Sequence, residues 1–182
     1  MRSLTAGFFV SLDGVVEAPY TWHFPYLTDQ VTEAVMAMTA KADAMLFGRH
    51  TYQEFASHWT TQPDDDPLAA HLNSLTKYVA SSTLETADWQ NSTLLGAEGL
   101  AERITGIKQQ PGGDIAVSGS ATLVRWLLAN DLLDELTLLV HPVVLGTGAR
   151  LFEGTLPRRA LTLAHSAVLD NGTLHLTYRT TP

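Results

Sequence analysis

Three short segments carry residue types suited to holding anions. Phe47-Gly48-Arg49-His50-Thr51, Ala80-Ser81-Ser82-Thr83 and Val117-Ser118-Gly119-Ser120-Ala121-Thr122 each follow a run that reads as a β-strand. The first and third also open a stretch with helical spacing. A helix N-terminus offers unpaired amides and a partial positive charge, both favourable to phosphate. Glycine lets a phosphate approach the backbone closely. Arg49 adds a fork of donors matched to a phosphate monoester, and Ser81 and Ser82 add neutral donors. Among only 11 basic residues, an arginine at a strand end stands out. In a parallel sheet these ends would share the carboxyl edge, where ligands of open α/β sheets bind. Taken singly, each segment also reads as a turn, a solvated arginine or a helix cap. Neither a Walker lysine motif nor G-x-G-x-x-G occurs, so together they point to an unorthodox dinucleotide site.

Acids that could move a proton are few near these segments. Asp29 opens a helical pattern, where it either reaches substrate or, with Thr28, competes for the N-cap. Asp13 and Glu17 follow the first strand, and Asp13 equally suits a turn with Gly14. Trp22, Phe24 and Tyr26 either line a pocket for a flat heterocycle or pin a loop to the core. Leu145-Gly146-Thr147-Gly148 reads as a loop over the site or as a plain turn. The seven histidines form no H-E-x-x-H and no tight cluster, so no metal is expected, although His165 and His175 face each other if the C-terminus forms a hairpin.

The elements that must position these residues alternate. Leu4 to Val10, Ala44 to Phe47, Lys77 to Ala80, Leu94-Leu95, Asp114 to Val117 and Glu135 to Val140 read as strands. Helices are expected from Asp29 to Ala42, through Tyr52 to Ala56, around Leu68 to Leu75, from Ala97 to Lys108, and across Leu123 to Leu128. The polar stretch 60–67 reads as a loop that supplies an Asp cap to the next helix. Ala160 to Leu169 and Thr173 to Thr180 flank the turn Asp170-Asn171-Gly172 as an antiparallel hairpin. The fold class is therefore α/β: one domain over residues 1–182, with a mainly parallel sheet and an antiparallel edge.

Composition narrows the function classes. Hydrophobic residues at 45% supply a core, and 11 basic against 19 acidic residues give a net charge of −8. That charge argues against a nucleic-acid or anionic-membrane binder. The absence of cysteine removes thiolate chemistry and suits a reducing compartment. The first residues lack the unbroken apolar run of a signal peptide, and no run reaches the ~20 residues of a membrane span, so a cytoplasmic protein is expected.

The blocks Ser11-Leu12-Asp13-Gly14, Gly48-Arg49-His50-Thr51-Tyr52, Lys77-Tyr78-Val79-Ala80-Ser81-Ser82 and Val117-Ser118-Gly119-Ser120 stand in an order and spacing that resembles the dihydrofolate reductase-like superfamily. His141-Pro142-Val143-Val144-Leu145-Gly146-Thr147-Gly148-Ala149-Arg150-Leu151-Phe152 strengthens the likeness. Within the superfamily the chain is similar to stand-alone homologues of the C-terminal reductase domain of the bifunctional riboflavin-biosynthesis deaminase–reductase. The resemblance covers about Arg2 to Tyr178. It implies NADPH along the carboxyl edge, and a homodimer. Carried over by position, Gly48, Arg49 and Thr51 would hold the cofactor phosphates, with Arg49 at the 2′-phosphate. Ser81 and Ser82 would join Arg49 in choosing NADPH over NADH. Gly119, Ser120, Ala121 and Thr122 would cradle the pyrophosphate. The glycine-rich triplet of folate reductases is here Ser118-Gly119-Ser120, and their helix-opening acid is replaced by the stretch Trp22 to Asp29. The expectation is an NADPH-dependent reductase of a small heterocycle, pterin-, pyrimidine- or flavin-precursor-like. Asp29, Asp13 or an ordered water would supply the proton. The other reading is a nucleotide-binding or regulatory protein on the same scaffold without turnover.

Overall fold

The chain is described here from a computed structural model covering residues 1–63, 65–154 and 157–180. Its strands are β1 (Leu4–Ser11), β2 (Ala42–Gly48), β3 (Thr76–Ala80), β4 (Ser92–Leu95), β5 (Asp114–Val117), β6 (Glu135–His141), β7 (Leu161–Val168) and β8 (Leu174–Thr180). Its α-helices are α1 (Asp29–Thr39), α2 (Arg49–Trp59), α3 (Pro67–Ser74), α4 (Leu100–Gln109) and α5 (Ala121–Ala129). The strands form one eight-stranded sheet in the order β4-β3-β2-β5-β1-β6-β8-β7. Every pairing from β4 to β6 is parallel, and β8 runs antiparallel to both β6 and β7. The mainly parallel sheet with a C-terminal antiparallel hairpin is the architecture expected. Within that hairpin the second strand, β8, lies inside and the first, β7, forms the outer edge.

Alternation along the strands decides which layer each residue enters. Leu4 and Ala6 of β1 join Leu46, Ile115, Val117 and Leu136 beneath α4 and α5, whose Ile104, Val124 and Leu127 are buried against them. On the other face, Met45, Phe47 and Val79 pack with Tyr52 of α2 and Leu72 of α3. Leu139 and Phe9 meet Val31 and Ala34 of α1. Burying both faces of the central strands explains why they read as unbroken apolar runs.

Helix starts follow capping chemistry. The Asp66 carboxylate accepts from the amides of Leu68 and Ala69 at 2.9 and 3.0 Å, so the cap expected from the polar stretch is this residue; Asp64 lies outside the described residues. Thr28, not Asp29, caps α1, its hydroxyl accepting from Val31 N at 3.4 Å. Helix α4 starts three residues later than the apolar pattern implied, at Leu100, because Gly99 turns the chain with φ 63°. The long β1–α1 connection holds two 3-10 turns, Pro19–Thr21 and Phe24–Tyr26, that the sequence did not announce. None of the described helices is long and apolar enough to cross a membrane.

Candidate functional site

Strands β3, β2 and β5 are consecutive in the sheet, so their carboxyl ends stand side by side. Gly48 pairs in register with Ala80, and Met45 with Ala116, which brings the three anion-suited segments to adjacent positions on one edge. The α2 and α5 N-termini start from this edge at Arg49 and Ala121. Ser120 caps α5 by accepting from Leu123 N at 3.3 Å. The two helix starts touch through glycine. A Cβ at Gly48 would stand 2.9 Å from Ser120 Oγ, and one at Gly119 would stand 3.1 Å from Thr51 Oγ1. Gly119 also carries φ 118°, a region L side chains avoid. Side chains at either position would push the helix starts apart and close the space between them.

Arg49 is exposed and occupies the first turn of α2, where no acid accompanies it. A helix N-terminus favours anions, so a cation there is electrostatically misplaced until an anion joins it. Among the described residues, Arg2, Lys108, Arg125, Arg150, Arg159 and Arg179 pair with carboxylates, whereas Arg49 reaches only His50, 3.2 Å from its guanidinium. Ser81 Oγ accepts from the amides of Thr83 and Leu84 at 3.2 and 2.9 Å, leaving its proton available to a ligand; Ser82 is exposed beside it. Thr122 Oγ1 accepts from Arg125 at 3.2 Å.

The two candidate acids lie just past the end of β1, the strand beside β5, and at the start of α1. Asp29 is exposed on the first turn of α1. Asp13 is a loop anchor. Its carboxylate accepts from Ser11 Oγ at 2.7 Å, from Leu145 N at 3.1 Å and from Gly146 N at 2.9 Å, and the Arg150 guanidinium lies 3.6 Å away. The Ser11 hydroxyl and the Leu145 and Gly146 amides hold its pKa down at about 2 against an ordinary 3.8. The geometry shows Asp13 holding the Leu145 and Gly146 backbone in place. The 145–148 segment is accordingly tied to Asp13, and Ala149 N is tied to Glu17 at 2.8 Å. Because the folded-state pKa is depressed, these contacts stabilise in full above about pH 3.8 and are lost as pH falls through about 2. Asp13→Asn turns an NH2 toward amide donors; faster hydrogen exchange at Leu145 and Gly146 is expected at pH 7, with protection elsewhere unchanged.

A second group of residues meets where β1 and β6 end, Ser11 pairing with His141. His141 is fully buried, with ring centroids 5.4 Å from both Trp22 and Tyr26 and 5.6 Å from Phe9. His23 stacks on Phe9 at 4.3 Å and 18°, and Phe24 covers it at 4.4 Å. Burial lowers the pKa of both histidines from the ordinary 6.5, and His141 lowers that of His23 further. Trp22 and Tyr26 therefore do enclose an aromatic box, but its centre is filled by two imidazoles the sequence did not single out together. The available signal was a histidine closing an apolar strand, Leu138-Leu139-Val140-His141.

Two other features lie off this edge. His165 and His175 do face each other across the hairpin, centroids 4.9 Å apart, and line a groove of about 920 Å³ with Thr5, Asp134, Thr137 and Arg179. None of the strand-end residues lines that groove. Lys77, the second residue of β3, is fully buried. Its Nζ donates to the carbonyls of Asn73, Leu75 and Gln90 at 3.0, 2.8 and 3.1 Å and sits 4.4 Å from the centre of the Trp89 ring.

Comparison with known proteins accords with this fold. Residues 2–175 match the family described as RibD C-terminal domain. The uncharacterized protein YyaP of Bacillus subtilis is 30% identical over 139 residues, 75% of this chain and 73% of that one. A putative riboflavin biosynthesis protein from Shewanella sp. PV-4 superposes over 100% of both chains with a TM-score of 0.77 at 20% identity. A dihydrofolate reductase from Enterococcus faecalis, solved with NADP(H), superposes over 99% of this chain and 97% of its own with a TM-score of 0.63 at 14% identity. The two structural likenesses establish a dihydrofolate reductase-like fold, and the sequence match places the chain in the RibD C-terminal domain family.

Proposed function

We propose that the protein is an NADPH-dependent reductase of a small heterocycle of the pterin, pyrimidine or flavin-precursor kind. The observation that carries this reading is the junction of the α2 and α5 starts, where Gly48 and Gly119 let two anion-favouring helix ends approach beside an arginine without an acidic partner. Gly48, Arg49 and Thr51 would hold the adenosine phosphates, with Arg49 on the 2′-phosphate and Ser81 and Ser82 beside it. Gly119, Ser120, Ala121 and Thr122 would hold the pyrophosphate. A nicotinamide held there would supply the hydride. The edge of β1 and β6 keeps a flat substrate in line and excludes water from one face, and alignment alone is worth several kcal/mol.

In this reading Asp29, Asp13 or an ordered water relays the proton. Asp29 remains the acid nearest in sequence and is exposed to solvent, so it acts in this reading only through an ordered water. That placement also gives weight to the second reading, a nucleotide-binding protein without turnover. Titration with NADPH and with NADH, followed by quenching of the four tryptophans, tests the cofactor edge. Tight NADPH and weak NADH binding supports it, and binding of neither overturns it. NADPH binding with no substrate-dependent loss of NADPH absorbance across a heterocycle panel favours the non-catalytic reading.

The family resemblance also implies a homodimer. The outer edge of β7 favours it: Leu161-Thr162-Leu163-Ala164-His165-Ser166-Ala167-Val168 holds neither an acid, a lysine, an arginine nor a proline to discourage a second strand. Sedimentation equilibrium is expected to give twice the chain mass.

A further inference from the structure

Buried polar atoms find partners almost everywhere in folded proteins. Among the side-chain atoms of the described residues only His23 Nδ1, His141 Nε2 and Thr173 Oγ1 are buried without one. These atoms belong to neighbouring parts of the fold. Thr173 immediately precedes Leu174, which pairs with Val140, the neighbour of His141, and the His23 and His141 ring centroids are 6.4 Å apart.

The tautomer of His141 follows from its surroundings. Its Nδ1 lies 2.8 Å from the carbonyl oxygen of Leu139, and a carbonyl only accepts, so Nδ1 carries the proton. Burial keeps the ring neutral, outweighing the pull of the Leu139 and Val10 carbonyls on a proton. Nε2 is thus a bare acceptor, fully buried and unused. Leaving such an atom unpaired is costly, a cost the arrangement would recover by receiving a donor.

His23 shows what shape fits above it. Its flat ring lies between Phe9, at 4.3 Å and 18°, and Phe24, at 4.4 Å and 34°. Its Nδ1 gains no hydrogen bond there. Phe24, the outer wall, is 59% exposed, and the turn that carries it is fastened by the Tyr26 N to His23 O, Leu27 N to Phe24 O and Asn171 Nδ2 to Tyr26 O bonds. A planar ring that also offered an N–H would satisfy Nε2, which the imidazole of His23 leaves bare.

We infer that the slot between Phe9 and Phe24 is the seat of the substrate ring, that His23 fills it in the ligand-free protein, and that His141 Nε2 accepts a hydrogen bond from an N–H or NH2 group of the ring that displaces it. The slot therefore selects flat, uncharged heterocycles bearing a donor. This assignment rests on the reading of the adjoining edge as a reductase site, but it is tested by binding alone.

The probe is 4-aminopyrimidine, with unsubstituted pyrimidine as its donor-free counterpart. Nitrogen NMR of the imidazoles in the wild-type chain is expected to show the His141 Nε2 resonance moving with 4-aminopyrimidine and staying still with pyrimidine. His141→Leu should raise the Kd of 4-aminopyrimidine about tenfold and leave that of pyrimidine unchanged. His141→Gln, which keeps an acceptor near the Nε2 position, should restore most of the affinity. His23→Ala, which empties the slot, should lower the Kd for both probes. A His141 Nε2 signal that ignores 4-aminopyrimidine overturns the assignment, and so does equal binding of the two probes by the wild type. If His141→Leu does not fold, the wild-type spectra and His23→Ala still decide. NADPH titration of the same samples separates the two readings: NADPH bound with the slot silent removes this inference alone, and the slot responding without NADPH binding removes the reductase.

Discussion

Replacing Arg49 by alanine is expected to raise the Kd for NADPH about thirtyfold, a loss of about 2 kcal/mol, while changing that for NADH by no more than about twofold. The asymmetry follows from what the side chain meets. NADPH differs from NADH by one phosphate monoester, and Arg49 reaches no acid that would compete for its donors among the described residues. Its position on the first turn of α2 adds the helix field to its own charge. Arg49→Lys keeps the charge and loses the planar fork, so it should fall between the two. Equal weakening of NADPH and NADH would take Arg49 off the 2′-phosphate, and unchanged binding of both would take it out of the site.

Lys77→Met should lower the unfolding free energy by about 3 kcal/mol at pH 7. Methionine fills comparable space but leaves the carbonyls of Asn73, Leu75 and Gln90 without their shared donor, and it removes the cation from the Trp89 ring. A pH signature accompanies the loss. Burial brings the Lys77 pKa down to about 8 from an ordinary 10.5. Between those values the unfolded chain holds a proton that the folded chain has released, so raising the pH favours folding. Wild-type stability should gain a rising contribution from pH 8 to 10.5 that the variant lacks. Urea melts of both proteins across that range measure it, and parallel curves would contradict the assignment.

Much of the architecture was readable because burial on both faces writes a simple pattern. Ala44-Met45-Leu46-Phe47 and Asp114-Ile115-Ala116-Val117 are buried strands bounded by glycine or serine, and strand–helix alternation then requires parallel pairing. The helix opening at Ala121 was equally plain, since Ser120 is a capping residue just before an apolar face. The order of strands was not in the pattern. That β5 inserts between β2 and β1, and so brings Gly119 against Thr51, depends on contacts far apart in sequence.

The site was legible in proportion to how local its chemistry is. Glycines and hydroxyls at helix starts announce themselves within five residues. Asp13 could be judged only in part from its neighbours in sequence: Ser11 is the main donor to its carboxylate, but the Leu145 and Gly146 amides it also holds lie more than a hundred residues away. Lys77 looked like an ordinary charge in a strand, and its carbonyl partners come from the α3–β3 junction and from the segment before β4. The pairing of His23 with His141 joins a loop to a strand end, and only the folded chain brings the two rings together.

The position of β8 sets an order in time. This strand follows both β6 and β7 in chain order, yet it lies between them and supplies hydrogen-bond partners to both. During synthesis β6 therefore waits with one edge open, and β7 has nothing to attach to, until β8 has left the ribosome. A stop codon before Leu174 would leave β7 without a partner and β6 paired only to β1, with its other edge open, and the truncated product should be found in the insoluble fraction.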